Sequence, residues 1–221
     1  MEIIFLFTIG TIFGSFFGLL VERIPAGESI IFGSSHCDTC KHPLAYYDLI
    51  PLFSQLISRL HCRYCQAKIP LMNFILELSS GLIFVSAWLG YLTFPQFLLT
   101  ILSVILSAFD YRYHSFPFLI WLIFAITFMI LFPSSLFFYF WLSLALLAEF
   151  FNLKIGSGDF LWFFTASFSL SFLNQILVLQ IASFLGIIYY LLSKKRTEIA
   201  FIPFLTLAYL MLLFGHQILS L

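Results

Sequence analysis

The sequence predicts an all-α integral membrane protein with about eight transmembrane helices and a single hydrophilic loop domain. Of its 221 residues, 62% are hydrophobic and only 9% are charged, whereas soluble domains contain about 25% charged residues. The apolar residues are grouped into eight runs, and the one long hydrophilic stretch lies between the first two, at 22–70. The formal net charge of zero says nothing about a nucleic-acid partner. We expect none, and the apolar composition makes the lipid bilayer the expected surroundings of the chain.

Each apolar run is interpreted as one membrane span. A span needs about 20 apolar residues, and the shorter runs would be completed by their flanks or by thinning of the bilayer. No small-residue cleavage site follows the first run, so we expect it to be retained. The least defined boundary lies near Asn174-Gln175. The predicted spans are 3–21, 71–91, 95–109, 117–132, 135–151, 160–174, 176–193 and 199–219.

The basic residues predict the orientation of these spans. All ten lysines and arginines lie in alternate connections: 22–70, the joint at Arg112, the joint at Lys154, and the run Lys194-Lys195-Arg196. Because basic residues are retained on the cytoplasmic side of a membrane, these connections are predicted to be cytoplasmic. Both termini are then predicted to lie outside.

The hydrophilic stretch contains all four cysteines, in the pairs CDTC and CRYC, and 21 residues separate the pairs. Two such pairs can bind one ion tetrahedrally, and thiolates suit zinc. Four protein ligands leave no open position, so the ion would be structural. Free thiols or a redox pair are the alternative, and His36 and His61, each beside a cysteine, are substitute ligands. The predicted ligands are Cys37, Cys40, Cys62 and Cys65.

Two aspartates, Asp110 and Asp159, are predicted to lie at the same boundary of the membrane although 48 residues separate them. Two carboxyl groups at one depth can share a proton, so that one activates water while the other polarises a carbonyl. Gly156 and Gly158 precede Asp159 and would leave room for a substrate backbone. The alternative is that each aspartate caps a helix.

Three glutamates also lie in or beside apolar runs. Glu77 is predicted to lie about two turns inside the second span, and an acid inside a membrane is a candidate functional residue. Glu22 and Glu149 lie near the ends of their spans and can reach the interface. The alternative for Glu77 is an ion pair with Arg23 or another buried partner.

Several motifs together resemble those of the type IV prepilin peptidases, which are GxGD-type intramembrane aspartic proteases. GSGD ends at Asp159, and Asp110 is followed seven residues later by Pro117, as in the family's first aspartate motif. The opening GSFFGLLVERIPAGES, the segments SHCDTC, DLIP and CRYC, and LELSSG are also similar to the family. The residues of the segments SHCDTC, DLIP and CRYC are most similar to those of the Gram-positive competence-pilus type. Departures from the family pattern occur at Gly18, Leu60-His61, Phe118 and Leu161.

The resemblance implies a division of labour along the chain. Residues 1–91 would form a methyltransferase half with the zinc loop, and 92–221 a six-span peptidase domain in the bacterial cytoplasmic membrane. The peptidase would cut prepilin-like or pseudopilin precursors after a glycine, with Asp110 and Asp159 as catalytic residues. S-adenosylmethionine would supply a methyl group for the new amino terminus, with Glu77 and Glu22 as candidate residues. The alternative is a non-catalytic assembly factor whose zinc loop docks pilus components; the oligomeric state is left open.

Overall fold

The computed structural model describes residues 1–37, 39–133, 137–151, 156–193 and 199–219, with side chains up to residue 215. Within these residues the chain is all-α, as predicted, apart from two isolated bridges in the hydrophilic loop. It divides into two compact units, Met1–Gly90 and Tyr91–Leu221. The predicted joints at Ser134-Ser135, at Lys154 and at Lys194-Lys195-Arg196 lie outside the described residues, as does Asp38.

The first unit is a pair of long helices with a loop domain between them. Helices α1 (Glu2–Ala26) and α3 (Leu71–Trp88) pack along each other. The loop contains a 3₁₀ turn (Tyr46–Leu49) and the short helix α2 (Phe53–Ile57). Helix α1 ends at Gly27, whose φ of 69° is a left-handed conformation that glycine adopts without steric cost.

Glycines bring α1 and α3 into backbone contact. A Cβ atom on Gly14 would lie 2.5 Å from the carbonyl oxygen of Leu76, and one on Gly10 would lie 2.6 Å from that of Ser80. On the facing helix, a Cβ on Gly81 would meet the ring of Phe7 at 2.7 Å. Small residues allow such close approach, and membrane helices associate largely through this kind of packing.

The described part of the second unit contains six helices. Helix α4 packs against α9, α9 against α8, and α7 against α6, with smaller contacts from α5 and α7 to α4 and between α5 and α7. Large side chains from several of these helices, Trp162, Tyr209, Phe109 and Phe163 among them, are almost fully buried. The helices are α4 (Phe94–Tyr113), α5 (Phe118–Leu131), α6 (Phe137–Phe150), α7 (Ser157–Ala166), α8 (Phe172–Leu192) and α9 (Ile202–Leu219).

Four of the described helices, α1, α3, α4 and α8, are long and apolar enough to cross a membrane. Helices α5, α6 and the 202–215 part of α9 are apolar but shorter. The predicted span over 160–174 was wrong, because α7 has ten residues and therefore rises only about 15 Å. The predicted boundary near Asn174-Gln175 was also misplaced, since both residues lie in the first turn of α8.

Serines end α7 early. The hydroxyls of Ser167 and Ser169 donate to the carbonyls three residues before them, at 2.6 and 3.4 Å, and Ser171 accepts from the N–H of Asn174 at the start of α8. Serine side chains compete in this way with helical hydrogen bonds and cap new helices. The segment SFSLS at 167–171 therefore separates α7 from α8 several residues before the predicted boundary.

The contact between α1 and α3 gives a stability prediction. Gly14→Ala would place a methyl group against the backbone of α3, and overpacking of this kind costs about 1–3 kcal/mol. We expect the melting temperature of the detergent-solubilised protein to fall by several degrees. Gly186→Ala, in α8, is the control, because its Cβ would meet no atom closer than 3.9 Å. Equal melting temperatures for the two variants would contradict the close packing of α1 on α3.

Candidate functional site

The four cysteines of the hydrophilic loop form one cluster. Their sulfur atoms all lie within 4.8 Å of one another, and the Sγ atoms of Cys37 and Cys65 are 3.8 Å apart. A zinc ion with Zn–S bonds of about 2.3 Å requires ligand sulfurs about 3.8 Å apart in a tetrahedron. The cluster therefore fits the predicted metal site, and its donor set of four thiolates is the one that structural zinc prefers.

Two turns of the same construction hold the cysteine pairs. In each turn the N–H of the first cysteine donates to the carbonyl five residues later, and its own carbonyl accepts from the N–H four residues later. The residue after the second cysteine is left-handed, with φ of 56° at Lys41 and 60° at Gln66. These bonds are 3.0 and 2.8 Å for Cys37 with His42 and Lys41, and 2.8 and 2.9 Å for Cys62 with Ala67 and Gln66.

The histidines beside the cysteines have other contacts. The ring of His36 is within hydrogen-bond distance of the carbonyl of Ser34 and of the Lys41 ammonium, and that of His61 lies 2.7 Å from the carbonyl of Arg59. Neither ring belongs to the cluster of four sulfurs. The geometry thus favours the cysteines as the ligands.

Backbone N–H groups point at one of the sulfurs. Those of Cys40 and Thr39, with Cys40 the stronger, outweigh burial and lower the pKa of the Cys37 thiol to about 7. Metal ligation requires the thiolate. The Cys37 thiol can therefore lose its proton to water and bind a metal as the thiolate near neutral pH more readily than an ordinary thiol does.

Asp48, which the sequence analysis did not single out, ties the loop together. Its carboxylate accepts from the N–H of Ala45 at 3.3 Å and from the hydroxyl of Tyr64 at 3.1 Å, and it lies 3.4 Å from Nε of Arg63. Tyr64 and Arg63 belong to the second cysteine pair, so Asp48 links the 3₁₀ turn to the metal site. The DLIP motif that contains Asp48 was the available signal for this role.

Glu77 is buried, with 4% of its surface exposed, and binds the loop. Its Oε2 accepts from the N–H of Leu52 at 2.6 Å and from Nε2 of Gln55 at 2.8 Å. Its predicted alternative partner, Arg23, instead donates to the carbonyls of Ser29, Phe32 and Ser34. Hydrogen bonds from Leu52 and Gln55, rather than an ion pair with Arg23, therefore satisfy the carboxylate of Glu77.

Glu22, the other glutamate predicted for this half, lies beside the same helix pair. Its carboxylate accepts a hydrogen bond from Nδ2 of Asn73 at 3.1 Å. Asn73 is in the first turn of α3 and Glu22 is near the end of α1. The contact therefore joins the ends of the two helices where the loop begins and ends.

In the second unit, Asp110 lies one turn before the end of α4 and Asp159 in the first turn of α7. The two are near enough for their charges to interact. Oδ2 of Asp110 accepts from the N–H of Ile202, the first residue of α9, at 2.9 Å. Asp159 does not cap α7, because Gly156 is the N-cap residue, and its carboxylate has no hydrogen-bond partner among the residues that the structure describes.

Tryptophans fix α7 next to the aspartates. Nε1 of the fully buried Trp162 donates to Oγ of Ser103 at 2.8 Å, and Nε1 of Trp121 donates to the carbonyl of Leu161 at 2.9 Å. Ser103 lies two turns before Asp110 on the same side of α4, and Trp162 lies three residues after Asp159. One face of α4 therefore holds both the hydrogen bond and the carboxyl pair against α7, and neither tryptophan was predicted to take part.

The two glycines before Asp159 differ in what surrounds them. A Cβ on Gly158 would lie 2.5 Å from the ring of Phe116, so this glycine accommodates an aromatic side chain. Among the described residues, a Cβ on Gly156 would meet the carboxyl group of Asp159, at 3.5 Å. Pro117, the last residue of the first aspartate motif, follows Phe116 and is the N-cap residue of α5. Phe116 therefore fills the space beside Gly158, whereas Gly156 is exposed.

Comparison with known proteins finds similarity in the first unit. Residues 8–91 match the bacterial peptidase A24 N-terminal domain. This range contains the four cysteines and Glu77 and ends before Asp110. No solved structure matches the chain.

The curated relatives are prepilin leader peptidase/N-methyltransferases. The chain is 41% identical over 81 residues to that of Myxococcus xanthus, a match covering 37% of this chain and 24% of the relative. It is 36% identical over 118 residues to that of Klebsiella pneumoniae (48% and 51% covered) and 31% identical over 116 residues to that of Bacillus subtilis (51% and 47% covered). The matches thus span about half the length of these relatives or less.

These matches agree with the features found in the sequence and the structure. The family match covers the cysteine cluster and the glutamates of the first unit, and the relatives come from several bacteria, so they do not resolve a subtype. The chain is therefore a multi-pass membrane protein that is similar, over about half of its length or less, to prepilin leader peptidase/N-methyltransferases, and its residues 8–91 match the N-terminal domain of the bacterial A24 peptidases.

Proposed function

We propose that the chain is an aspartic endopeptidase of the type IV prepilin peptidase kind and that Asp110 and Asp159 are its catalytic pair. The observation that carries the proposal is that Asp110 near the end of α4 and Asp159 at the start of α7, two helices in contact, lie near enough for their charges to interact. The chain also matches the bacterial peptidase A24 N-terminal domain over residues 8–91. Buried carboxyl pairs that share a proton are the catalytic device of aspartic proteases.

The contacts of the two aspartates suggest different roles. Asp110 accepts the N–H of Ile202 at the start of α9, and a helix N-terminus favours a negative charge. We assign to Asp110 the ionised state that takes a proton from the attacking water. Asp159, which accepts no hydrogen bond among the described residues, would carry the shared proton and donate it to the oxygen of the scissile carbonyl.

The substrate is proposed to be a prepilin-like or pseudopilin precursor, cut after a glycine at the cytoplasmic face of the membrane. An apolar substrate helix in the bilayer would bring the bond at its end to the depth of the pair, and a glycine there would ease local unwinding. The exposed position of Gly156, beside the carboxyl group of Asp159, supports the approach of an extended backbone. The competence-pilus type remains our proposal for the subtype, with the cytoplasmic membrane as the location and both termini outside.

Zinc is proposed as a structural ion held by Cys37, Cys40, Cys62 and Cys65. Bound zinc would cross-link the two cysteine turns, whose own packing is slight because most of the loop side chains are exposed. The second anchor of the loop is Glu77, which holds Leu52 and Gln55 on α3. Metal and carboxylate together would fix the loop at both its outer and its membrane-facing end.

Methylation of the new amino terminus is a second proposed activity, favoured by the match of residues 8–91 and by the names of the relatives. The methyl group would pass from the sulfonium of S-adenosylmethionine to the neutral amine, leaving a thioether, and a carboxylate would take the proton that the amine loses. Glu77 and Glu22 are the candidate groups. The hydrogen bonds of Glu77 in addition fix the loop on α3.

A non-catalytic assembly factor, docking pilus components through its zinc loop, is the alternative to the peptidase. It requires no approach of Asp110 to Asp159. The two proposals differ in whether a co-expressed prepilin changes in mass.

The catalytic pair predicts the first functional result. Asp110→Asn and Asp159→Asn should each abolish cleavage of a co-expressed prepilin, because neither carboxyl group can replace the other. The double variant should be little worse than either single one, since residues that act as a unit are not additive. The measurement is mass spectrometry of the prepilin, with membrane insertion of each variant checked by immunoblot.

Glu149→Gln is the matched control, because Glu149 is an exposed carboxylate on α6. It should cleave like the wild type. Substantial cleavage by either aspartate variant would exclude the pair as the catalytic centre, and an unprocessed prepilin with the wild type would favour the assembly factor.

The cysteine cluster predicts the metal content. Protein purified without chelator should contain about one zinc ion per chain, measured by inductively coupled plasma mass spectrometry. Cys62→Ser should lose the ion, because Cys62 is one of the four clustered thiols and 4% exposed. His61→Ala should retain it, since the His61 ring lies outside the cluster. Wild-type protein without zinc, or loss of zinc from His61→Ala, would contradict this ligand set.

Glu77 predicts an effect on methylation alone. In Glu77→Gln the amide cannot accept the amine proton and holds the N–H of Leu52 less strongly, so the mature pilin should be cleaved but lighter by one methyl group. Glu28→Gln, at an exposed position of the same loop, should leave the methyl group in place. A wild-type product that already lacks the methyl group would show that the chain acts as a peptidase only.

A further inference from the structure

The middle of the hydrophilic loop lies against α3 well inside that helix. The N–H of Leu52 and the side chain of Gln55 both donate to Oε2 of Glu77. Glu77 is six residues beyond Leu71, where α3 begins, which is about 9 Å along the helix axis. The middle of the loop therefore contacts α3 about 9 Å along the helix from its first residue, Leu71.

The length of α3 places this contact below the membrane surface. Helix α3 has 18 residues and rises about 27 Å, whereas the hydrocarbon layer is about 30 Å thick. The whole of α3 is needed to cross it. Because Leu71 then lies at the boundary of the hydrocarbon, Glu77 and the loop residues bound to it lie at the depth of the acyl chains.

The side of α2 that faces away from the helices is apolar. Phe53, Leu56 and Ile57 share one face of this short helix and are 66%, 61% and 73% exposed, whereas the polar Gln55 faces inward and is 7% exposed. A helix on a water-facing surface has the opposite arrangement. Leu49, just before α2, is also exposed, so the apolar surface begins ahead of the helix.

We propose that residues 49–57 form an interfacial segment whose apolar side is inserted among the lipids of the bilayer. The occupant is lipid because α3 itself exposes Ile75 and Leu78, the neighbours of Glu77, so helix and loop present apolar surface at one depth. Arg59, two residues after the segment, is exposed and suits the phosphate groups at the membrane surface. Helix α2, whose apolar face is turned outward, thus joins the loop to the bilayer. This inference does not depend on the peptidase activity.

Photo-crosslinking of the full chain tests the segment. p-Benzoylphenylalanine is introduced in place of Phe53 or Ile57, and the protein is reconstituted into vesicles of phosphatidylethanolamine and phosphatidylglycerol. The control is the same substitution at Gln66, which is exposed in the second cysteine turn. We expect lipid adducts, detected by mass spectrometry, to be several-fold more abundant at positions 53 and 57 than at position 66.

Two results would overturn the proposal. One is a lipid-adduct yield at positions 53 and 57 no higher than that at position 66. The other is crosslinking in whole-cell membranes mainly to another polypeptide, which would make the surface a protein-docking site. Only variants that remain monodisperse in gel filtration are compared, and Leu56, on the same face, replaces a position whose variant fails this criterion.

Discussion

A carboxylate in an apolar protein needs hydrogen-bond donors, and this constraint organises both units of the chain. Burying an ionised group without partners costs several kcal/mol. Glu77 satisfies the requirement with a backbone N–H and an amide, and Asp110 does so with the N–H of Ile202. Asp159 has no such donor among the described residues. Asp159 lies near a second carboxyl group, and two such groups can share a proton.

In the first unit the same constraint shapes the loop. Leu52 has a φ of 60°, which is unfavourable for a residue with a branched side chain, and its N–H is the one aimed at Glu77. A strained backbone of this kind persists only where its surroundings determine it. The hydrogen bonds to Glu77 hold Leu52 in this conformation. The cysteine cluster brings the two cysteine turns together, so a loop with almost no core of its own is fixed at two places.

The sequence predicted the features that depend on residue type at short spacing. Two CxxC pairs predict a four-sulfur cluster once the chain folds them together, and long apolar runs predict α1, α3, α4 and α8. Contacts that depend on tertiary packing were not predictable from these patterns. The N–H of Leu52 carries no signal that it will meet a carboxylate 25 residues away, and nothing in the sequence indicates that the ring of Phe116 fills the space beside Gly158. The end of α7 was predictable from the serines at 167–171, but the boundary was predicted near Asn174-Gln175.

Helix α7 is short but deeply packed. It rises only about 15 Å, six of its ten residues are buried, and directional bonds from Trp162 to Ser103 and from Trp121 to Leu161 add to this packing. Both bonds lie within three residues of Asp159. Ser103 is also within reach of α9, because the hydroxyl of Thr206 donates to its carbonyl at 3.2 Å. Helix α9 in turn provides the N–H that binds Asp110. Helices α4, α7 and α9 therefore fix the positions of both carboxyl groups. A change in the position of α7 against α4 would move Asp159 relative to Asp110.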